Sequence, residues 1–169
     1  MMETSTVSIT FNGKIDNDSV KWIQWYNDAK TLIRLIGYEP THVGISGIAF
    51  KSGKVLNISK SEKKIMKSLE NGDEVYYISL FSLPRDYKSA SFDYDVLVAR
   101  DEGYITLIMN KSAFDYEQES VLISILKKHI SISNGEIYEM DREEVPLLYA
   151  AKDNPPNTFK TLKILENIN

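Results

Sequence analysis

Gly44-Ile45-Ser46-Gly47 sets a serine between two glycines, a setting that invites comparison with a nucleophilic serine. A nucleophile elbow needs G-x-S-x-G, because glycines two before and two after the serine permit its strained turn. Here the second glycine arrives one residue early and Ile48 stands in its place. No His–acid pairing can be assigned to Ser46, so the glycines are read as points where the backbone bends or approaches another element. Gly47 to Lys54 invites comparison with a phosphate loop, which needs G-x-x-x-x-G-K-[ST]. Five residues separate Gly47 from Gly53, and Val55 replaces the hydroxyl that would hold magnesium. Both departures fall on functional positions, and the motif is rejected.

His42 and His129 are the only two histidines, and there is no cysteine. Thiolate chemistry, disulfides, iron–sulfur clusters and Cys-based zinc sites are therefore excluded. Neither histidine has an H-x-H, H-x-x-x-H or H-E-x-x-H partner, so both are assigned structural roles. The sequence predicts no metal site, no cofactor and no catalytic residue.

Carboxylates form the remaining constellation. Asp93 and Asp95 are two positions apart and would project from one strand face, with Asp101 and Glu102 close in sequence. Paired carboxylates serve acid–base chemistry or bind a hard cation. The plainer reading is a solvated face opposite Phe92, Tyr94, Val96 and Val98. Residues 136–144 hold Glu136, Glu139, Asp141, Glu143 and Glu144 against Arg142 alone. Such a stretch can steer a basic partner. Residues 51–67 hold six lysines and one glutamate. They lack the interleaved aromatics and arginines that stack bases, so a solvated helix face is preferred over nucleic-acid binding. The formal net charge of -4 points the same way, since nonspecific nucleic-acid binding rests on phosphate neutralisation.

These residues need a scaffold. Val7, Ile9 and Phe11 alternate with Ser8 and Thr10, which predicts a short amphipathic strand. Asp18 or Ser19 caps a helix running to Ile36, with Gly37 as its C′ residue. Trp22, Trp25, Tyr26, Ala29, Leu32, Ile33 and Ile36 share its apolar face. A strand follows over 42–50, a short one over 55–58, a helix to Glu70 and a strand over 75–83. Strands at 92–99 and 104–109 are joined by Arg100-Asp101-Glu102-Gly103, a hairpin signal. A third helix is predicted up to Ile130, and a strand over 136–140. Beyond Asp141, Phe159, Leu162, Leu165 and Ile168 recur at helical spacing, which predicts a docked helix or strand.

The predicted fold class is α+β: a mixed, largely antiparallel sheet with two or three helices on one face and a C-terminal extension. No linker divides the chain, so residues 1–169 are expected to form one α+β domain, with 141–169 as the docked extension. The start MMETSTVSIT has no basic segment followed by an apolar one, and no apolar run reaches membrane length. With no cysteine, this places the chain in the cytoplasm.

This order of elements and composition resembles the small acidic α+β immunity proteins of bacterial polymorphic-toxin systems, without a diagnostic residue motif. The resemblance implies a non-enzymatic protein that occludes a cognate toxin domain. Contacts are then expected on Asp93, Asp95, Asp101 and Glu102, and on Glu136, Glu139, Asp141, Glu143 and Glu144. Tyr94 and Tyr138 are the expected anchors. Two other readings stand beside it: a small enzyme using a carboxylate or hydroxyl site, and a mobile-element accessory protein binding nucleic acid through Lys51 to Lys67. A deep pocket joining His42, Ser46 or the Asp93/Asp95 pair would favour the enzyme.

Overall fold

A computed structural model describes residues 3–168. Asp18 accepts a hydrogen bond from the Val20 N–H and starts α1 (Ser19–Ile36), and Gly37 ends it in the left-handed region at φ 104°. Trp22, Trp25, Tyr26, Ala29, Leu32 and Ile33 are all fully buried, as the helical periodicity predicts. Trp25 also donates its indole N–H to the Ile78 carbonyl at 3.0 Å, which satisfies the polar end of a buried ring.

Eight strands form one sheet. They are β1 (Ser5–Lys14), β2 (His42–Gly47), β3 (Val55–Asn57), β4 (Val75–Ser82), β5 (Val96–Asp101), β6 (Tyr104–Asn110), β7 (Ser131–Asp141) and β8 (Lys163–Ile168). The order across the sheet is β3-β2-β4-β5-β6-β1-β7-β8. The fold class is α+β. Every strand pairing among the described residues is antiparallel, so the sheet has no parallel component. The β5–β6 hairpin pairs Asp101 with Tyr104 across the predicted turn. The C-terminal segment resolves as a strand, with β8 pairing along β7.

The other helices are α2 (Ile58–Glu70), α3 (Ala90–Asp93), α4 (Glu119–Lys127) and α5 (Pro146–Ala150). Helices α1, α2 and α4 share one sheet face, where Val7, Ile9 and Phe11 meet Trp25, Ile65, Leu122 and Leu126 in one apolar cluster. The third helix, expected from Ser112 or Asp115 to Ile130 with a strand as the competing reading of Val121, Ile123 and Ile125, is a helix but a shorter one, because 3-10 turns occupy 111–113 and 116–118 before α4 begins.

The second sheet face departs from expectation. It is covered by α5 and the segment that follows, through apolar clusters joining Leu147 and Ala150 to Leu97, Ile108 and Tyr104, and Tyr149 to Tyr138 and Met140. Thr6, Ser8 and Thr10, on the polar side of β1, are consequently buried. Thr10 Oγ1 lies 2.6 Å from Thr106 Oγ1 and 2.9 Å from Tyr138 Oη, a cross-strand hydroxyl network that satisfies groups removed from water.

Candidate partner-binding site

At one end of the sheet β1 starts, β4 and β6 finish and β5 starts. A cleft of about 630 Å³ opens there, and its lining includes Glu3, Asp86, Lys88, Asp93, Asp95 and Ser112. Four carboxylates face it against one lysine. Three of them, Asp93, Asp95 and Glu3, are held in place by the chain. Asp93 closes the loop ahead of it, accepting from the backbone N–H of Lys88 at 2.8 Å and of Ser89 at 2.9 Å. Those bonds, that from Ser89 foremost, keep its carboxyl below the usual range and therefore ionised. Asp95 accepts from Asn110 Nδ2 at 3.0 Å. Glu3 accepts from the Ser112 N–H at 2.8 Å and from its hydroxyl.

Arg142 supports this arrangement from beneath. It is 5% exposed and stands over the Tyr94 ring, 5.2 Å from its centroid. Its Nε donates to the Glu3 carbonyl at 2.6 Å, and its Nη1 to the carbonyls of Phe92 at 2.8 Å and Tyr94 at 2.9 Å. Its Nη2 donates to Asn110 Oδ1. One guanidinium thus ties the N-terminal segment, α3 and the end of β6 together, using the five-donor fork that lysine lacks. Asp141 positions it by accepting from the Glu143 N–H at 2.9 Å, which opens the 3-10 turn over 142–144.

The expected contact residues therefore separate. Asp93 and Asp95 do come together, but not as alternate positions of one strand: Asp93 ends α3 and β5 begins only at Val96. Asp101 and Glu102 are not part of this group. They lie at the far end of β5, about 20 Å away at the usual rise per strand residue. Asp101 there accepts from the Glu102 N–H at 2.7 Å, and burial raises its carboxyl's proton affinity. Tyr94 and Tyr138 are 1% and 0% exposed, so the structure corrects their role from surface anchors to core residues. Tyr94 packs with Phe81 and Leu97, and Tyr138 lies edge-on to Tyr149 at 4.7 Å under α5.

Residues 136–144 are largely engaged internally. Glu136 accepts from Tyr149 Oη at 3.0 Å and Lys152 Nζ at 2.6 Å, pinning α5 to β7. Glu144 clamps the C-terminal segment through the N–H groups of Lys160 at 2.9 Å and Thr161 at 2.6 Å. Glu139 pairs with Lys111 at 3.0 Å, and Glu143 is exposed. Glu3, Asp86 and Arg142 were missed. Only Arg142 left a trace in the sequence, as a lone cation inside an acidic run.

The cleft does bring in the Asp93/Asp95 pair, the placement that favours an enzyme, but neither His42 nor Ser46 lines it and both carboxylates are engaged by amide donors. His42 lies edge-on to Tyr87 at 5.2 Å, and burial lowers its proton affinity. His129 Nε2 is 2.7 Å from Asp28 Oδ2 beneath Trp25. Gly44 lines a separate cavity of about 190 Å³ on the second face. A Cβ there would meet the Ser79 side chain at 2.7 Å, whereas a Cβ on Gly47 would lie 2.5 Å from the Glu74 carbonyl oxygen, a close approach of backbone that glycine allows. All six lysines of 51–67 are exposed. Among the described residues, no group of three or more His, Asp or Glu side chains is placed to hold a metal ion. No helix among them is long and apolar enough to cross a membrane.

No family model and no curated protein matches the chain. Its backbone is similar to a chain in the 1.75 Å crystal structure of the toxic C-terminal tip of CdiA from Pseudomonas aeruginosa in complex with immune protein. That likeness has 12% identity and a TM-score of 0.33, and covers 83% of this chain and 87% of the other. A TM-score of this size does not establish a common function.

Proposed function

We propose that the chain is a binding protein that neutralises a cognate bacterial toxin domain by occlusion, acting in the cytoplasm. The observation that carries this reading is the cleft in which Glu3, Asp86, Asp93 and Asp95 converge. Three of these carboxylates are pinned by hydrogen bonds before any partner arrives, so little side-chain freedom is lost on contact. Such a surface suits a basic patch on a protein, and its field speeds encounter as well as selecting the partner. Glu143, exposed and next in sequence to Arg142, is proposed to extend this acidic surface.

The test is co-expression with a candidate toxin domain, sought first among the neighbouring genes. Growth should be rescued and the two proteins should co-purify. Asp86→Lys with Glu143→Lys alters two exposed positions and should slow association, most at low salt. A chain that neither binds nor rescues, or a double variant that binds as the parent does at every salt concentration, refutes the proposal.

A further inference from the structure

At the opposite end of the sheet from the acidic cleft, under the helices, lies a pocket of about 190 Å³ with the reverse polarity. Lys14 at the end of β1, Lys21 in the first turn of α1, Arg100 near the end of β5 and Lys128 just after α4 line it. One carboxylate, Asp16, shares the lining, and it already accepts from the Asp18 N–H at 3.0 Å. We propose that this pocket binds a phosphate-type oxyanion.

The argument rests on Arg100. It is 1% exposed, yet every bond it makes is to a neutral carbonyl. Its Nε donates to His129 at 3.0 Å and its Nη2 to Asp16 at 2.8 Å. Its Nη1 is buried without a hydrogen-bond partner, and the guanidinium carbon sits 4.4 Å from the centre of the Trp22 ring. A buried charge normally has a counter-ion, because desolvation is costly when nothing opposes it. Arg100 forms no salt bridge among the described residues, and it borders a pocket. The Asp16 carboxylate opposes this charge from a distance without bonding to it, and an anion in the pocket adds the closer counter-charge.

The neighbours agree. Lys14 and Lys21 also form no salt bridge among the described residues, and Lys128 reaches Asp28 only at 3.8 Å. His129 occupies that same carboxylate at 2.7 Å. The cations arrive from four different elements around the pocket. That arrangement suits a tetrahedral oxyanion, whose acceptors point in several directions, better than a planar carboxylate.

The test is calorimetric titration of the full chain with inorganic phosphate, with chloride held at matched ionic strength. Saturable binding is expected, and Lys21→Gln and Lys128→Gln should each weaken it about three- to tenfold. Lys60→Gln, on the exposed side of α2, should not. Arg100→Gln tests the centre of the site directly, but it removes a buried side chain, so the lysine variants decide. Glycerol 3-phosphate binding more tightly than phosphate identifies a phosphorylated molecule as the source; equal or weaker binding identifies the free ion. Absence of saturable heat overturns the proposal, as does phosphate affinity unchanged in both lysine variants. Acetate binding more tightly than phosphate overturns it in favour of a carboxylate donated by a protein partner.

Discussion

Replacing Arg142 with Met keeps an unbranched apolar stem of similar reach and removes all the donors. Four acceptors then lose their partner: the carbonyls of Glu3, Phe92 and Tyr94, and Asn110 Oδ1. The bonds to Tyr94 and Asn110 are buried, and those to Glu3 and Phe92 are part-buried. An acceptor orphaned in the interior costs about 1–3 kcal/mol, whereas one that water can reach loses only the net bond, about 0.5–1.5 kcal/mol. The lower parts of these ranges give a loss of about 3–5 kcal/mol. The desolvation of the guanidinium is recovered at the same time, which argues against the upper parts. For a chain of this length the midpoint should fall by about 10 °C, at 2–4 °C per kcal/mol. Urea unfolding followed by tryptophan fluorescence is the assay, since Trp22 and Trp25 are both in the core. The urea midpoint should drop with little change in slope. Arg142→Lys should recover part of the loss, because an ammonium cannot span acceptors on three segments at once. A loss below about 1 kcal/mol for the Met variant would refute the assignment of Arg142 as the support of the cleft.

Other expectations follow from single positions. Burial, reinforced by neighbouring Glu166, pushes the Glu119 carboxyl up to about 7. The folded chain therefore holds a proton that the unfolded chain releases near 4.5. Its contribution is fully present below that value and is lost as the pH rises through about 7, so Glu119→Gln should flatten the decline in the urea midpoint between about pH 5 and pH 8; equal slopes would contradict this. A Cβ on Gly13 would lie 1.9 Å from the Ser131 carbonyl oxygen, so Gly13→Ala should cost more than about 2 kcal/mol, and a change within 0.5 kcal/mol would contradict the β1–β7 register. Trp25→Phe removes the bond to the Ile78 carbonyl and should cost about 1–3 kcal/mol by the same unfolding assay.

The scaffold was legible where several local rules agreed. In α1, an N-cap aspartate, a continuous 3.6-residue apolar stripe and a C′ glycine all mark the same 18 residues. The β5–β6 hairpin was similarly plain, with two strand-sized apolar runs around a turn whose Gly103 takes φ 89°. Phe159, Leu162, Leu165 and Ile168 show where spacing misleads. Their helical interval spans a proline-bounded turn and a strand, with Phe159 and Leu162 packing under Tyr149 and only Leu165 and Ile168 lying in β8. Tyr138 was misplaced for a related reason. A strand's polar alternation reads as a solvated face unless a later segment covers it, and the cover here is α5, more than a hundred residues after β1. The apolar stretch Val145-Pro146-Leu147-Leu148-Tyr149 was that signal, because a five-residue apolar helix must bury itself against something.

The acidic residues were harder to place than the core because charge says nothing about partners. Glu136, Glu144 and Asp93 have the same kind of side chain, yet the first pins a helix, the second clamps a distant segment and the third shapes a cleft. What separates them is which donors the fold brings within 3 Å, and those donors come from up to 17 residues away. The two arginines carry the same lesson with opposite results. Arg142 is buried with every nitrogen bonded and fixes the acidic cleft. Arg100 is buried with one nitrogen unbonded and leaves a cationic pocket beside it. A buried guanidinium whose three nitrogens all have partners is a structural tie, while one with an unpartnered nitrogen beside an opening is the basis of the proposed anion site. The two ends of the sheet differ in polarity because Glu3, Asp86, Asp93 and Asp95 line one and Lys14, Lys21, Arg100 and Lys128 line the other, so a variant at one end should leave binding at the other unchanged.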